Sequence, residues 1–329
     1  MNKILSFQTT IATELEKLEK EYLPARPANL YDPIKYTLSL GGKRMRPLLV
    51  MIGCDLFDGN TEEALPAAIA VELFHNFTLI HDDIMDNAPL RRNKQTVHEK
   101  WNNSVAILGG DAMMVKAYEY LAKSKPELLP EILKVFNSTA LKVCEGQQLD
   151  MDYEKQNVVG SVQYLNMITL KTAVLLAGSL KIGAITGGAR NEDAERLYEF
   201  GKNIGIAFQL QDDILDVYAD AEKFGKQKGG DIISNKKTFL LIKALELSNL
   251  NSYKKEELLQ WIHAPQFIPK EKVEAVTEIY NFLNVKKIAE AEMDKYYQSA
   301  LQYLQKIPAN EEKKKELISF TEGLMKREN

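Results

Sequence analysis

Two stretches of sequence decide the fold of this chain: VELFHNFTLIHDDIMD at residues 71–86 and IGIAFQLQDDILD at residues 204–216. Each is an apolar run that ends in the pattern Asp-Asp-x-x-Asp. Apolar residues spaced three and four apart predict a helix, and on a helix the first and last aspartates of such a pattern lie on one face. The sequence therefore predicts two helices that each carry a matched cluster of carboxylates.

The same helical spacing continues along most of the chain, and strand-like alternation between turn signals is hard to find. This pattern predicts an all-α fold. Since no Pro- or Ser-rich linker divides the sequence, we expect one domain over residues 1–329, a single large helical bundle in which the two acidic helix ends meet at a central cavity. The predicted helices are Ile4 to Glu21, Arg46 to Phe57, Thr61 to Asp86, Ser104 to Ala122, Pro130 to Asp150, Ser161 to Ile185, Asn191 to Val217, Lys237 to Leu247 and Val273 to Leu304.

The composition is that of an ordinary soluble globular protein, with 45% hydrophobic and 27% charged residues. A net charge of −4 gives no basic field, so we expect no nucleic-acid partner.

The longest uncharged run, Gln156 to Leu170, is too short to cross a bilayer and no signal peptide is visible, which predicts no membrane span and a cytoplasmic location. Cys54 and Cys144 are expected to be buried core thiols rather than disulfide partners or zinc ligands.

The two carboxylate clusters suit a hard cation, because they offer oxygen atoms with no nearby Cys or closely spaced His. Several carboxylates around open water positions are typical of Mg²⁺ that bridges to phosphates. The plain alternative, a solvated acidic helix face, fits less well because both clusters follow strongly apolar runs. The expected substrate is a phosphate or diphosphate ester, and the site should depend on metal.

Basic residues stand where a diphosphate would need them. Gly41 to Pro47, GGKRMRP, puts three cations on a flexible turn before a helix, a pattern that favours anion binding, although a solvated basic loop is the alternative. Arg91 and Arg92 follow the first acidic cluster directly. Lys171 lies in a mostly apolar helix, where a lone lysine is often only a surface residue, and Lys226 and Lys236 lie in the glycine-rich segment after the second cluster.

Taken together, these motifs resemble the trans-isoprenyl diphosphate synthase family. The resemblance covers roughly residues 40 to 240 and rests on the residues of the motifs and on their order and approximate spacing. The segments that carry it are GGKRMRP at 41–47, DDIMD with Arg91-Arg92, GQQLD at 146–150, Lys171-Thr172, FQLQDD at 208–213, and Gly225-Lys226 through Asn235-Lys236.

The resemblance implies an all-α prenyltransferase that joins isopentenyl diphosphate head to tail onto an allylic diphosphate (dimethylallyl, geranyl or farnesyl), using about three Mg²⁺ ions. By motif match, the metals would lie at Asp82, Asp86 and Asp212, supported by Asp83 and Asp216. The allylic diphosphate would contact Arg91, Lys171, Lys226 and Lys236. Isopentenyl diphosphate would lie against Lys43, Arg46, His75 and Arg92, and Thr172 and Gln209 would face the reacting carbons. The expected catalytic residues are Lys171, Thr172 and Gln209.

In the same family, aromatic residues one and two turns before the first motif set the floor of the product tunnel. Phe77 and Phe74 lie five and eight residues before Asp82. Thr78 is not aromatic and the motif has no two-residue insertion, a pattern that resembles C20 producers. We expect a product of C15 to C20, with geranylgeranyl diphosphate favoured.

Two other functions remain open at this point. A class I terpene cyclase shares the helical fold and the first motif, but it predicts a different second motif and needs no second diphosphate site. A non-catalytic regulatory subunit commonly loses an acidic motif, whereas both are intact here. The resemblance also implies a homodimer, and it leaves open any role of Lys326 and Arg327 in closing the site.

Overall fold

The structure, a computed structural model, describes residues 2–22, 25–219, 229–248 and 252–326. The elements in chain order are α1 (Asn2–Glu21), α2 (Ala28–Ser39), α3 (Met45–Leu56), α4 (Thr61–Met85), β1 (Leu90–Arg91), β2 (Lys94–Gln95), α5 (Val97–Lys100), α6 (Asn103–Leu121), α7 (Leu129–Lys155), α8 (Ser161–Ile168), a π-helical turn (Thr169–Ala173), α9 (Val174–Thr186), α10 (Asn191–Tyr218), α11 (Gly230–Ile233), α12 (Phe239–Ser248), α13 (Ser252–His263), α14 (Pro269–Phe282), α15 (Val285–Gln305) and α16 (Glu311–Lys326). Within the described ranges the only strands are the two-residue β1 and β2, which pair as an antiparallel hairpin. The all-α prediction is confirmed.

The helix from Val273 to Leu304 is predicted wrongly as one element. It is two helices, α14 and α15, separated at Asn284, whose φ of 55° lies in the left-handed region that ends a helix. The predicted helix from Ser161 to Ile185 is likewise interrupted, because the chain takes one π-helical turn between α8 and α9. Helices α2, α13 and α16 were not predicted, and in α2 Pro33 masks the helical pattern.

The chain divides into two compact units. The first comprises residues 1–140, 175–198 and 306–318, and the second comprises residues 141–174, 199–305 and 319–329. The first aspartate motif belongs to the first unit and the second motif to the second. The expectation of one domain over the whole chain stays a prediction.

The core of the first unit lies around α4, which packs against α3 and α6. α4 begins after Asn60, whose side chain accepts a hydrogen bond from the Glu62 N–H. The helix then buries Leu73, Phe74 and Ile80 before it reaches the aspartates. Burial of this apolar face holds the acidic end of α4 in a fixed position.

The core of the second unit joins α8, α10, α12 and α14 in one hydrophobic cluster. Its buried members include Ile168, Leu210, Phe239 and Ile279. Leu210 is fully buried two residues before Asp212, so the second motif stands on a helix that is anchored by its apolar side. The two motifs are therefore each carried by a core helix of their own unit.

Two helical segments, Thr61–Met85 and Ser161–Thr186, are long and apolar enough to cross a membrane by length and composition. Of the most apolar window in each, 61% and 72% respectively is buried inside the protein, as in core helices of soluble proteins. The absence of a membrane span stays a prediction.

Cys54 is buried, as expected, and burial raises the pKa of its thiol to about 11. Cys144 is exposed on α7, so the prediction that it is a core thiol is wrong.

Candidate active site

The first aspartate motif forms the end of α4. Asp86 is the C-cap residue, and its N–H donates to the carbonyl oxygen of Asp82. Asp82 is half-buried, Asp86 is exposed, and Asp83 is only 4% exposed. The outer two aspartates are therefore the accessible members of the motif, whereas the middle one faces the protein.

Arg91 ties the middle aspartate to the hairpin that follows α4. Its Nε donates to Oδ1 and Oδ2 of Asp83 at 2.8 and 2.9 Å, and its Nη2 lies 3.4 Å from Oδ2 of Asp82. Burial raises the pKa of Asp83, while the hydrogen bond from Arg91 opposes that rise. The structure thus places Arg91 on the first motif itself.

The hairpin turn also places the neighbouring arginine, Arg92, against the GGKRMRP segment. Arg92 and Asn93 form the two-residue connection between β1 and β2, and their φ angles of 54° and 61° suit a type I′ turn. The guanidinium of Arg92 donates to the carbonyl oxygen of Gly41, and it lies so close to Gly42 that a Cβ there would be 2.6 Å from its Nη2. The GGKRMRP segment and Arg92 are therefore in contact.

Arg46 and His75 form the second part of this basic region. Nη1 of Arg46 lies 3.0 Å from Nε2 of His75. Burial, followed by the nearby positive charge of Arg46, holds the pKa of His75 well below its usual range, so the ring is neutral and its Nε2 accepts from Arg46. Burial also lowers the pKa of Arg46 to about 10. Lys43, in the same segment as Arg46, is exposed.

The remaining arginine of the segment, Arg44, bonds to other parts of the protein and does not join this basic region. It pairs with the buried carboxylate of Glu72 on α4 and donates through Nη2 to the carbonyl oxygen of Leu38 at 2.6 Å. Asn76 donates to the same carboxylate at 2.8 Å. This pair was not predicted from the sequence, in which the available signal was a glutamate inside an apolar helix.

The two phenylalanines expected to bound the product lie in an aromatic cluster of the first unit. The ring centroid of Phe77 is 5.7 Å from that of Phe74 and 4.7 Å from that of His81. Phe74 also meets Phe136 edge-on at 5.4 Å. His81 lies against Gly110 of α6, and its Nε2 is 3.2 Å from the carbonyl oxygen of Ile107. Phe77 is thus held between two rings.

In the second unit, Lys171 stands on the π-helical turn and pairs with Asp150. Its Nζ lies 2.6 Å from Oδ2 of Asp150, the last residue of the GQQLD segment. Gly146 of the same segment allows this approach, because a Cβ there would collide with the backbone of Lys171. The GQQLD segment is one of the sequence motifs, but no role was predicted for Asp150. A π-helical turn often marks a functional site, and here it presents Lys171 and Thr172.

A chain of hydrogen bonds links the residues expected at the reacting carbons to the second motif. The Thr172 hydroxyl donates to Oε1 of Gln209 at 3.3 Å, and Nε2 of Gln209 donates to Oδ1 of Asp213 at 3.3 Å. The other carboxylate oxygen accepts from the Tyr164 hydroxyl at 2.5 Å and from the Phe239 N–H at 3.1 Å. Burial raises the pKa of Asp213 to about 7, and the hydrogen bond from Tyr164 opposes this. Neither Asp213 nor Tyr164 was assigned a role from the sequence.

The outer aspartates of the second motif are both half-buried on α10. Oδ2 of Asp216 accepts from the N–H of Asp231 at 3.1 Å, which joins the motif to the short helix α11. Lys236 is exposed after that helix. Lys226, Arg327 and the side chain of Lys326 lie outside the described part of the chain, so their predicted roles are not placed.

The carboxylates present fit Mg²⁺. Each motif offers only oxygen atoms, the donors that Mg²⁺ prefers, on an accessible face. In the described ranges no three His, Cys, Asp or Glu side chains are grouped to hold an ion by themselves. Proteins usually hold Mg²⁺ by one or two carboxylates together with substrate phosphates.

Comparisons with known proteins agree with this chemistry. The chain matches the family model described as polyprenyl synthetase over residues 27–283. It is 46% identical over 229 residues to the geranylgeranyl diphosphate synthase of Methanosarcina mazei, which covers 69% of this chain and 71% of that protein. It is 42% identical over 258 residues to the short chain isoprenyl diphosphate synthase of Methanocaldococcus jannaschii, covering 78% of each. Its fold is similar to a crystal structure of a geranylgeranyl pyrophosphate synthase, with a TM-score of 0.93 at 42% identity over 100% of both chains.

Proposed function

The chain belongs to the polyprenyl synthetase family, and we propose that it joins isopentenyl diphosphate head to tail to an allylic diphosphate, with geranylgeranyl diphosphate (C20) as the main product. The predicted family and the predicted enzyme class, a trans-prenyltransferase, are confirmed by the family match and the relatives. The preferred primer is an allylic diphosphate of five to fifteen carbons, dimethylallyl, geranyl or farnesyl.

The observation that carries this function is that the first unit contains two different kinds of site that suit a diphosphate. Asp82 and Asp86 are acidic and accessible, and they suit a diphosphate that brings metal. Arg46 and Arg92 form a basic region around a neutral His75, which suits a diphosphate that binds without metal. Burial and the charge of neighbouring arginines lower the pKa of Arg92, so a bound anion would stabilise this region. Two diphosphate sites fit a condensation and not a cyclisation.

We assign Asp82, Asp86 and Asp212 as Mg²⁺ ligands for the allylic diphosphate, with Asp83 and Asp216 in support. About three ions would neutralise the departing pyrophosphate when bound. By motif match, Lys171 and Arg91 would each contribute positive charge to the allylic diphosphate. Lys171 is held by Asp150 and Arg91 by Asp83. The released pyrophosphate accepts the proton that the product loses.

The oxygen atoms of Thr172 and Gln209 stabilise the allylic cation. Both are partly negative, and the hydrogen-bond chain through Asp213 keeps them together. Isopentenyl diphosphate, placed by Lys43, Arg46, His75 and Arg92, then attacks the cation with its double bond. We expect apolar side chains to exclude water that would otherwise quench the cation.

Phe77 is proposed as the floor against which the growing chain stops, with Phe74 behind it. Replacing Phe77 with Ala removes a ring from this position, and we expect products longer than C20. Mass spectrometry of the products, with Phe136→Ala as a control variant from the same aromatic cluster, measures this. A Phe77→Ala enzyme that makes products of unchanged length would refute the assignment.

We further propose a homodimer in the cytoplasm without a membrane span. α6 supports the dimer, because it exposes an apolar face of Ile107, Leu108, Val115 and Tyr118. Leu108 and Val115 are 59% and 60% exposed, and clusters of this kind usually mark protein contacts. Sedimentation of the purified chain tests this, since a monomer at micromolar concentration would contradict it.

The two rival functions are separated by one set of incubations. The purified chain is given Mg²⁺ and an allylic diphosphate with or without isopentenyl diphosphate, and a matched sample contains a chelator. We expect linear prenyl diphosphates only when both substrates and Mg²⁺ are present. A cyclase would release hydrocarbon or alcohol from the allylic substrate alone, and a regulatory subunit would make no product.

A further inference from the structure

Tyr164 is the buried end of the hydrogen-bond chain that reaches the reaction centre. It lies on α8, is 4% exposed, and donates its hydroxyl to Oδ2 of Asp213 at 2.5 Å. The Phe239 N–H donates to the same oxygen at 3.1 Å. These two donors occupy Oδ2, so Oδ1 is left to face Gln209 on the same helix as Asp213.

The partners of Asp213 decide how the amide of Gln209 is turned. A carboxylate among three donors acts as an acceptor, so the group of Gln209 that meets Oδ1 is the NH₂. Since an amide is planar, turning its NH₂ toward Asp213 turns Oε1 to the other side. There it meets the Thr172 hydroxyl at 3.3 Å. In the opposite orientation a positive NH₂ edge would face the cation.

We propose that Tyr164 is a positioning residue of the prenyl transfer: by holding Asp213, it fixes the Gln209 amide with its carbonyl oxygen toward the allylic cation. This inference rests on the proposed function. It also gives the middle aspartate of the second motif a task other than metal binding. In this role Tyr164 acts through Asp213 and Gln209.

The first test is Tyr164→Phe, which removes one hydroxyl and keeps the ring. We expect kcat to fall about 10- to 100-fold, because a misplaced group at a reaction centre slows the reaction by such factors. The KM for both substrates should stay within about twofold of the wild-type value. Tyr153→Phe is the matched control, because Tyr153 belongs to the same buried cluster and is not bonded to Asp213. An unchanged kcat in Tyr164→Phe, or an equal loss in Tyr153→Phe, overturns the proposal.

The second test is a double-mutant cycle with Gln209→Ala. If Tyr164 acts through Gln209, the double variant has the kcat of Gln209→Ala within about twofold, whereas independent effects multiply. A purely structural loss of the hydroxyl would lower kcat by the same factor in both backgrounds. Multiplied effects therefore overturn the proposal.

Asp213→Asn keeps the test usable if Tyr164→Phe does not fold. The Asn oxygen accepts from Tyr164 and Phe239, so its NH₂ faces Gln209 and reverses the amide. We expect a fall in kcat at least as large as for Tyr164→Phe, and an Asp213→Asn enzyme with normal kcat contradicts the proposal. Wild-type protein that makes no prenyl diphosphate would instead sink the proposed function, so the two failures are distinct.

Discussion

The two Asp-Asp-x-x-Asp motifs share a pattern but bury their middle aspartates against different partners. Asp83 meets the guanidinium of Arg91, a full positive charge, at 2.7 Å. Asp213 meets the Tyr164 hydroxyl, the Phe239 N–H and the Gln209 amide, which are neutral. The first middle aspartate is therefore neutralised by charge, whereas the second is only solvated by hydrogen bonds.

Because of this difference, residues at the same position of the two motifs have different roles. In each motif the first aspartate is half-buried and is a proposed metal ligand. The middle aspartate of the first motif fixes a hairpin that carries Arg91 and Arg92, and that of the second fixes Gln209. Matched sequence patterns thus predict matched chemistry only for the residues that are proposed to reach the substrate.

The largest expected effect comes from the residues that the motifs have in common. Asp82→Asn and Asp212→Asn each remove the charge of a proposed Mg²⁺ ligand, and we expect kcat/KM to fall about a thousandfold in both. Steady-state assays over a range of Mg²⁺ concentrations measure this. Asp152→Asn is the control, an exposed aspartate on α7 outside both motifs. A loss in only one of the two variants would break the assigned equivalence.

Arg91→Ala tests the charged pairing of the first motif. It leaves the Asp83 carboxylate, 4% exposed, without its cation, and we expect the free energy of unfolding to drop by about 3 kcal/mol. Urea denaturation measures the loss. Arg92→Ala is the control, since Arg92 donates to a carbonyl oxygen and not to an aspartate. Equal stability of Arg91→Ala and wild type would mean that charge pairing does not hold Asp83.

Gly110→Ala tests how the first unit sets product length. A Cβ at this position collides with the His81 ring, and His81 in turn packs on Phe77, so the ring pair must shift. We expect the distribution of product lengths to change while prenyl transfer continues. Gly109→Ala is the matched control, because its Cβ would meet Pro33 at 3.2 Å instead. An identical distribution in both variants contradicts a role for His81 behind the floor.

The smallest expected effect is on acid stability through His75. The folded protein holds the pKa of His75 well below 6.5, so below that pH the unfolded chain binds the extra proton and unfolding is favoured. The contribution to stability is complete above pH 6.5 and is lost as the pH falls below it. The melting temperature of His75→Gln should therefore fall less than that of wild type when the pH is lowered from 7.5 to 5.5. His263→Gln, an exposed histidine, serves as control and should behave as wild type.

Much of the fold followed from local patterns in the sequence. Three- and four-residue spacing predicted α4 and α10 nearly to their ends, because their apolar faces are the cores of their units. The break at Asn284 and the π-helical turn at Thr169–Ala173 were not predictable in this way. Both are local departures in a pattern that reads as continuously helical, and tertiary packing decides them.

The site was predictable in its chemistry and not in its connections. The aspartates, arginines and lysines were identified by motif, but the partner of each depends on contacts distant in sequence. Tyr164 and Asp213 are 49 residues apart, and Lys171 and Asp150 are 21 apart. The approach at Gly146, which brings Lys171 to α7, has no signature beyond the glycine itself.

The most direct test of the account is the mass of the product that the purified protein makes from farnesyl diphosphate and isopentenyl diphosphate with Mg²⁺. We predict geranylgeranyl diphosphate, the C20 product of one condensation, with little extension beyond it. A product of C30 or longer would contradict the Phe77 floor and leave the chemistry standing. The absence of any linear prenyl diphosphate, with farnesyl or shorter primers, would contradict the central claim that this chain is a short-chain prenyl synthase.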